Sequence, residues 1–397
     1  MRAAERFSPP GCCGLHRSSE PADFWLQVFA LEPVQSTRAL CAGSPHAGTG
    51  ILRRHAARRA PAKRPGAVSV EELPVRTRAE YETARVATRV SVVVNPRSGA
   101  GRTRRTLAAL ERGLRRVGIP YELLETREPG HASQLARDAC AKGCDVLAVV
   151  GGDGTLNEVA QAYVNGDGAP VAGPPLAVIP SGTGGDFARC CGFADGDLEA
   201  ALERLHARKL RDLDLGILRL NDAQTQPLSR AFINIASAGI SGDVDERVAR
   251  GPKWLGGKLA FLLATLGSSL RYRNVPVQIS IDGRPWHEGP VVVVTIANGQ
   301  FFGGGMQVAP GADWGDGLFD VVLVGDLTRT QFLTQFPKVR SGAHLELEAV
   351  RCVRAHGVTV RALDVERPIL VDVDGETPGY LPLDAQILPR AVQLCVD

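Results

Sequence analysis

The run Val149-Val150-Gly151-Gly152-Asp153-Gly154-Thr155-Leu156-Asn157-Glu158 sets an apolar strand, a glycine turn and an aspartate in direct succession. Glycine lets the backbone approach a ligand closely, and free N–H groups at a helix start point at an anion, so such a turn can cradle phosphate. It is neither the Walker pattern nor the spaced glycines of a dinucleotide fingerprint, and alone it is also an ordinary strand-to-helix turn. Two units of the same kind flank it. One runs from Val90 through Val94 into Asn95-Pro96-Arg97-Ser98-Gly99, and the other from Leu176 through Pro180 into Ser181-Gly182-Thr183-Gly184-Gly185-Asp186. In a parallel sheet all strands deliver their carboxyl ends to one edge, so three polar loops converge on one crevice. Asp153, Asp186 and Asp214 each lie near a strand end or glycine loop. Carboxylate oxygens suit magnesium, which takes few of them and keeps much of its water, and phosphoryl transfer needs such a cation beside the phosphates. An aspartate next to glycine also closes turns and caps helices, and that alternative stays open, most of all at Asp214.

On these residues the chain resembles the diacylglycerol-kinase catalytic-domain lipid kinases, a family that includes bacterial lipid kinases and the sphingosine and ceramide kinases. The matching residues are Asn95-Pro96-x-Ser98-Gly99, Gly151-Gly152-Asp153-Gly154-Thr155 with Asn157-Glu158, Ser181-Gly182-Thr183 with Asp186-Phe187-Ala188-Arg189, and Asp374-Gly375-Glu376. The family usually has Asn before the aspartate of the third motif, where this chain has Gly185. The resemblance runs from about Thr88 onward and implies an ATP site in which Asn95, Pro96, Arg97, Ser98, Gly99, Gly152, Asp153, Gly154, Thr155, Leu156, Asn157, Glu158 and Thr183 surround the phosphates. Thr126 would lie against the nucleotide. It further implies that Asp153, Asp186 and Asp214 form a carboxylate and water network around an active Mg2+. Asp313, Asp316 and the carbonyl of Leu318 would hold a second, structural Mg2+. Glu376, with Asp374, would orient and deprotonate the acceptor hydroxyl. Read without the resemblance, Asp374-Gly375 is a turn between strands and the 313–318 stretch a glycine-rich loop.

The elements that must position these groups divide the chain of 397 residues in three. Residues 1–88 are rich in Pro, Gly, Ala and Arg without a sustained period, and carry 13 Lys/Arg against 8 Asp/Glu, so the remainder of a chain of net charge +3 stands near −2. The basic run Arg53, Arg54, Arg58, Arg59, Lys63, Arg64 belongs here. A disordered or processed extension, a targeting segment and an electrostatic contact are its competing readings. From 89 to 216, strands at Val90–Val94, Tyr121–Glu125 and Val146–Val150 alternate with helices at Thr103–Val117, His131–Lys142 and Leu156–Tyr163, which predicts an α/β domain with a parallel sheet. A helix over Asp197–Arg208 and a short strand over Arg211–Gly216 follow. From 217 to 397, short strands at Ala231–Ala236, Val275–Ile281, Val291–Ala297, Leu318–Val324, Val358–Ala362 and Ile369–Val373 predict a mostly antiparallel β-sandwich, its final segment returning to the cleft. Asp282-Gly283 is a hairpin signal. Leu259, Leu262, Leu263, Leu266 and Leu270 recur at helical spacing, as a buried helix face or a lipid-facing one.

The net charge gives no case for nucleic-acid binding, and no run of about 18 apolar residues predicts a spanning helix. The nine cysteines lack metal-ligand spacing and point to free thiols in a reducing compartment. No Gly-x-Ser-x-Gly elbow supports a serine hydrolase, and the histidines form no catalytic set. The reading that results is a cytoplasmic, ATP- and Mg2+-dependent lipid kinase in peripheral contact with a membrane. Its acceptor is a lipid hydroxyl, diacylglycerol before a sphingoid base, ceramide or phosphatidylglycerol, and a homodimer is open. A dinucleotide (NAD) kinase and a non-catalytic lipid-binding regulator are the alternatives.

Overall fold

Alternation in the first strand sends Val90, Val92 and Val94 to one face of a sheet and Val93 to the other, and all are buried. A strand apolar on both faces must be covered on both, as parallel sheets are. The computed structural model describes residues 89–397 except 182–184, 195, 251–263, 266 and 269–271. In it β1 (Val90–Val94) pairs in parallel with β2 (Tyr121–Glu125) and β3 (Val146–Gly151), and β3 with β4 (Leu176–Pro180). Helices α1 (Arg102–Arg116), α2 (His131–Ala141), α3 (Asp153–Ala160), α4 (Asp186–Cys190) and α5 (Leu198–Ala207) connect and cover these strands. Leu110 and Leu114 of α1 and Leu202 and Leu205 of α5 pack on the face of Val90. Ala132 and Ala136 of α2 and Leu156 and Val159 of α3 pack on the face of Val93.

Beyond this parallel α/β core the fold is antiparallel and β-rich. Strand β5 (Lys209–Asn221) turns back into β6 (Pro227–Phe232), and β7 (Ile235–Gly239) lies between β10 (Val293–Ala297) and β16 (Leu370–Val373). β8 (Val275–Ile281) and β9 (Arg284–Val291) form the hairpin at Asp282-Gly283, and both turn residues have positive φ, 49° and 75°, as a type I′ turn requires. Asp374-Gly375 joins β16 to β17 (Glu376–Val396) in the same way, at φ 51° and 86°. β17 is the seam of the molecule. It pairs antiparallel with β16 and β5, and ends beside β4 in a parallel bridge, Leu394 opposite Leu176. With β11 (Phe301–Phe302), β12 (Met306–Gln307), β13 (Phe319–Val324) and β15 (Gly357–Ala362), the β half closes around Phe232 stacked on Phe319, ring centroids 5.5 Å apart.

Several elements differ from the sequence-based expectation. Helix α3 starts at Asp153 rather than Leu156, because extended Gly152 is its N-cap and the turn itself winds into the helix. The strand expected over Ala231–Ala236 breaks at Ile233-Asn234, whose amides turn to a side chain described below. Arg211–Gly216 is the middle of the 13-residue β5. Strand β14 (Val350–Ala355), the length of β17 and helix α6 (Ile240–Arg250) carried no recognised period. The leucine stripe from Leu259 to Leu270 lies outside the described residues. Among the described residues, no helix is long and apolar enough to cross a membrane.

Candidate active site

The first two glycine loops meet the ends of the third, at Ser181 and Asp186, and polar side chains tie them together. Asn95 donates its backbone N–H to Val150 O (3.1 Å) and its side-chain amide to Thr155 Oγ1 (3.1 Å). Gly151 has to be glycine, since a Cβ there would stand 2.7 Å from the Thr155 side chain. Ser181 N bonds Gly151 O at 3.0 Å, and the buried Thr103 hydroxyl contacts Ser181 Oγ at 2.9 Å and Ser98 O at 3.3 Å. Thr103 therefore links the first loop to the third. Asn95 Oδ1 accepts from Arg97 N (3.0 Å), closing the turn through Pro96 and leaving the Arg97 side chain exposed. Gly99 takes a φ of 58° in the turn Ser98–Gly101. Thr126 follows β2, its N–H held by Val94 O at 2.9 Å.

Asp153, the first residue of α3, caps another helix. Its two oxygens accept the N–H groups of Asp186 (3.1 Å) and Phe187 (3.2 Å) at the start of α4. Two carboxylates are thereby brought together. Burial, and then the charge of Asp153, push the Asp186 carboxyl up to about 6, against the pull of Gly304 N (2.7 Å) and of Arg189 (2.5 Å). A buried carboxylate beside a half-buried one, with one partial counter-charge, suits a hard cation of few protein ligands, so Asp186 and Asp153 fit magnesium. Gly185 has φ 62° and ψ 35°, and an added Cβ would meet no described atom within 4 Å.

Asp374 reaches this region from the far end of the sequence. Its Oδ1 accepts from Asn234 N (3.1 Å) and Ile235 N (2.8 Å), and its Oδ2 from Ile233 N (2.9 Å) and Asn157 Nδ2 (2.8 Å). These donors are what breaks the strand expected over Ala231–Ala236 into β6 and β7. They also occupy the carboxylate that the resemblance gave to the acceptor hydroxyl. Asn157, fully buried, is part of this knot and not of the phosphate loops. Glu376, two residues on, is different. It is partly exposed, its Oε2 pairs with Arg230 at 2.9 Å, and its Oε1 lies 4.0 Å from where a Cβ on Gly154 would stand. The hairpin thus hangs one carboxylate over the Gly-Gly-Asp-Gly turn. Burial raises the Glu376 carboxyl above the usual range, Arg230 counteracts this, and Glu158 adds to it.

The remaining expected residues are placed elsewhere. Asp214 is buried and bonded to Gly317 N and Arg390 N, both at 2.6 Å, and burial raises its carboxyl with smaller contributions from Asp316 and Asp313. Its partners are the 313–318 loop and β17, not Asp153 or Asp186. In that loop Asp313 pairs with Arg211 and Asp316 with Arg354, while Asp316 Oδ1 holds Leu318 N at 3.1 Å. With both carboxylates turned to guanidinium groups, these residues as placed do not fit a second cation; among the described residues, no three Asp, Glu, His or Cys side chains gather as a metal cage. Leu156 is core, and Glu158 accepts Ala132 N (2.9 Å) at the start of α2. Thr183 lies outside the described residues. Sequence reasoning missed Thr103 and Arg230, for which no motif or spacing gives a signal. Arg189 stood inside a quoted motif, three residues from Asp186 on one helix turn, and that spacing was the available clue.

Residues 89–218 match the family model described as diacylglycerol kinase catalytic domain, and residues 234–396 the one described as YegS C-terminal NAD kinase beta sandwich-like domain. Over 307 residues the chain is 30% identical to a diacylglycerol kinase of Mycobacterium tuberculosis, covering 77% of this chain and 94% of that one. It is 34% identical over 283 residues to a probable lipid kinase YegS-like of Xanthomonas axonopodis pv. citri, covering 71% and 88%. A solved structure of a diacylglycerol kinase from Bacillus anthracis is similar in fold, with a TM-score of 0.62 and 23% identity over 79% of this chain and 99% of that one.

Proposed function

Because the chain belongs to the diacylglycerol kinase catalytic-domain family of lipid kinases, we propose that it transfers the γ-phosphoryl of ATP to the hydroxyl of a lipid, diacylglycerol first. The observation that carries this reading is the carboxylate of Glu376, held by Arg230 and set against Gly154 of the phosphate-loop candidate. An in-line transfer needs the acceptor oxygen between a base and the phosphates, and the position of Glu376 beside Gly154 supports that role for it. Its duty is to accept the hydroxyl proton as the acceptor oxygen bonds to the γ-phosphorus and the bond from that phosphorus to the β-phosphate oxygen breaks, releasing ADP. Arg230 keeps the carboxylate ionised and aimed. Asn95, Thr155 and Thr103 fix the loops so that their N–H groups need no reorganisation. Magnesium, which Asp153 and Asp186 would hold, neutralises phosphate charge when bound.

The acyl part of the acceptor would enter an apolar cavity of the β half, lined by Ile240, Val244, Val293, Phe302, Phe332 and Phe336 among others. We also propose peripheral contact with an anionic membrane through the basic run from Arg53 to Arg64, which screening by salt would weaken. The test is transfer of labelled phosphate from ATP to a panel of diacylglycerol, ceramide, a sphingoid base, phosphatidylglycerol and NAD, each lipid in detergent and on anionic vesicles. Label in diacylglycerol supports the reading. Label in NAD alone, or in nothing despite bound ATP, overturns it, and equal rates in both presentations at all salt concentrations remove the membrane arm.

A further inference from the structure

The cavity wall is not entirely apolar. Helix α6 contributes Ser241 and Asp245 to it, and both are joined to residues behind the wall. The hydroxyls of Ser241 and Ser237 lie 2.7 Å apart, and Ser237 donates to Asp372 Oδ2 at 2.8 Å. The carboxyl of Asp245 is hydrogen-bonded to that of Asp372. Asp372 Oδ1 in turn accepts Gly375 N at 2.8 Å, and Gly375 is the turn residue directly before Glu376. Two carboxyl groups share a hydrogen bond only when one of them holds a proton. Burial raises both carboxyls, that of Asp245 far above the usual range with the adjacent negative charge adding to it, while at Asp372 the donors Ser237 and Gly375 work against burial and favour the ionised form. Asp245 is accordingly the neutral acid and Asp372 the carboxylate.

We propose that Asp245 is a positioning residue: its proton, shared with Asp372, ties the cavity wall to the hairpin turn, so that an apolar occupant of the cavity fixes where Glu376 stands. The physical reason is competition. Water in an unfilled cavity can take up the Asp245 proton as a hydrogen bond of its own, whereas an acyl chain excludes it and leaves Asp372 as the single acceptor. The proposal rests on the lipid-kinase reading for the identity of the occupant and for the part Glu376 plays in turnover.

Two substitutions in the full chain separate the donor from the charge. Asp245→Asn keeps an N–H to donate to Asp372, and Asp245→Val fills a similar volume without one. With Asp245→Val we expect hydrogen exchange at the Gly375 amide to rise about tenfold and kcat with dioleoylglycerol to fall by a similar factor, the loss of one hydrogen bond to a charged group. ATP affinity should stay within about twofold, because no nucleotide loop is touched. Asp245→Asn should match wild type in both measurements. Unchanged Gly375 exchange in Asp245→Val, or an Asp245→Asn protein as impaired as Asp245→Val, overturns the proposal. On wild-type protein, dioleoylglycerol in micelles should slow Gly375 exchange, and bound lipid without slowing overturns it independently of how the variants fold. A wild-type protein that phosphorylates no lipid would sink the functional reading, while the exchange comparison between the variants would still decide the role of Asp245.

Discussion

Replacing Asp374 by Asn tests whether this carboxylate serves the fold or the reaction. Two N–H donors go to each oxygen, so whichever oxygen becomes the amide, two donors then face a donor. A hydrogen bond to a charged group is worth about 1.5 to 3 kcal/mol, which bounds the loss at about 3 to 6 kcal/mol. Removing a buried charge returns part of it, leaving an expected destabilisation of about 2 to 4 kcal/mol. Backbone strain does not contribute, since Asn is well tolerated at the φ of 51° that Asp374 adopts. Asp374→Ala should be worse, because all four donors lose their acceptor. The measurement is the denaturant midpoint of each variant with its slope, alongside ATP titration and turnover. An Asp374→Asn protein that melts at the wild-type midpoint but has lost turnover would refute the reasoning and return Asp374 to the acceptor hydroxyl.

Arg230 lowers a Glu376 carboxyl that burial has raised, so the acid limb of kcat, where Glu376 must be ionised, should lie above the ordinary glutamate range and move to higher pH still in Arg230→Gln; a limb that stays put or moves down would remove Glu376 as the base. Gly185→Asn should cost at most about 1 kcal/mol and leave turnover near wild type, since the position is left-handed and a Cβ there meets no described atom, whereas Gly185→Val should fail; calorimetry and turnover check both. Thr103→Val removes the bridge between the first and third loops and should raise the Kd for ATP several-fold while costing about 1 to 3 kcal/mol of stability, read by titration and by denaturant melts.

What could be read from the sequence was what local pattern enforces. The strands at Val90, Tyr121, Val146 and Leu176 are short and bounded by turn residues, and β1, β3 and β4 are buried along their length, so their existence and near-exact ends follow from composition alone. The Asp282-Gly283 and Asp374-Gly375 turns follow from backbone chemistry. Partnerships across the chain do not. Asn157 belongs beside Thr155 on any local reading, yet its side chain is committed to a residue 217 positions away. The same holds for Asp214, whose acceptor role depends on Gly317 and Arg390. Strand β17 was invisible because it changes neighbours along its length and so shows no single alternation.

The bridge of Leu394 to Leu176 bears on the order in which the protein can be made. During synthesis β1 to β4 leave the ribosome long before β17 exists, and until it arrives β4 lacks the strand that meets it at Leu176, so its outer edge is uncovered there. An edge of that kind recruits other strands, so nascent chains and fragments ending near residue 218 should be the species that aggregate. The two matched segments are separable in sequence without being independent in folding. A design that exchanges the β half between relatives has to carry its own β17 with a register that fits the recipient's β4, or the nucleotide half will be left unfinished.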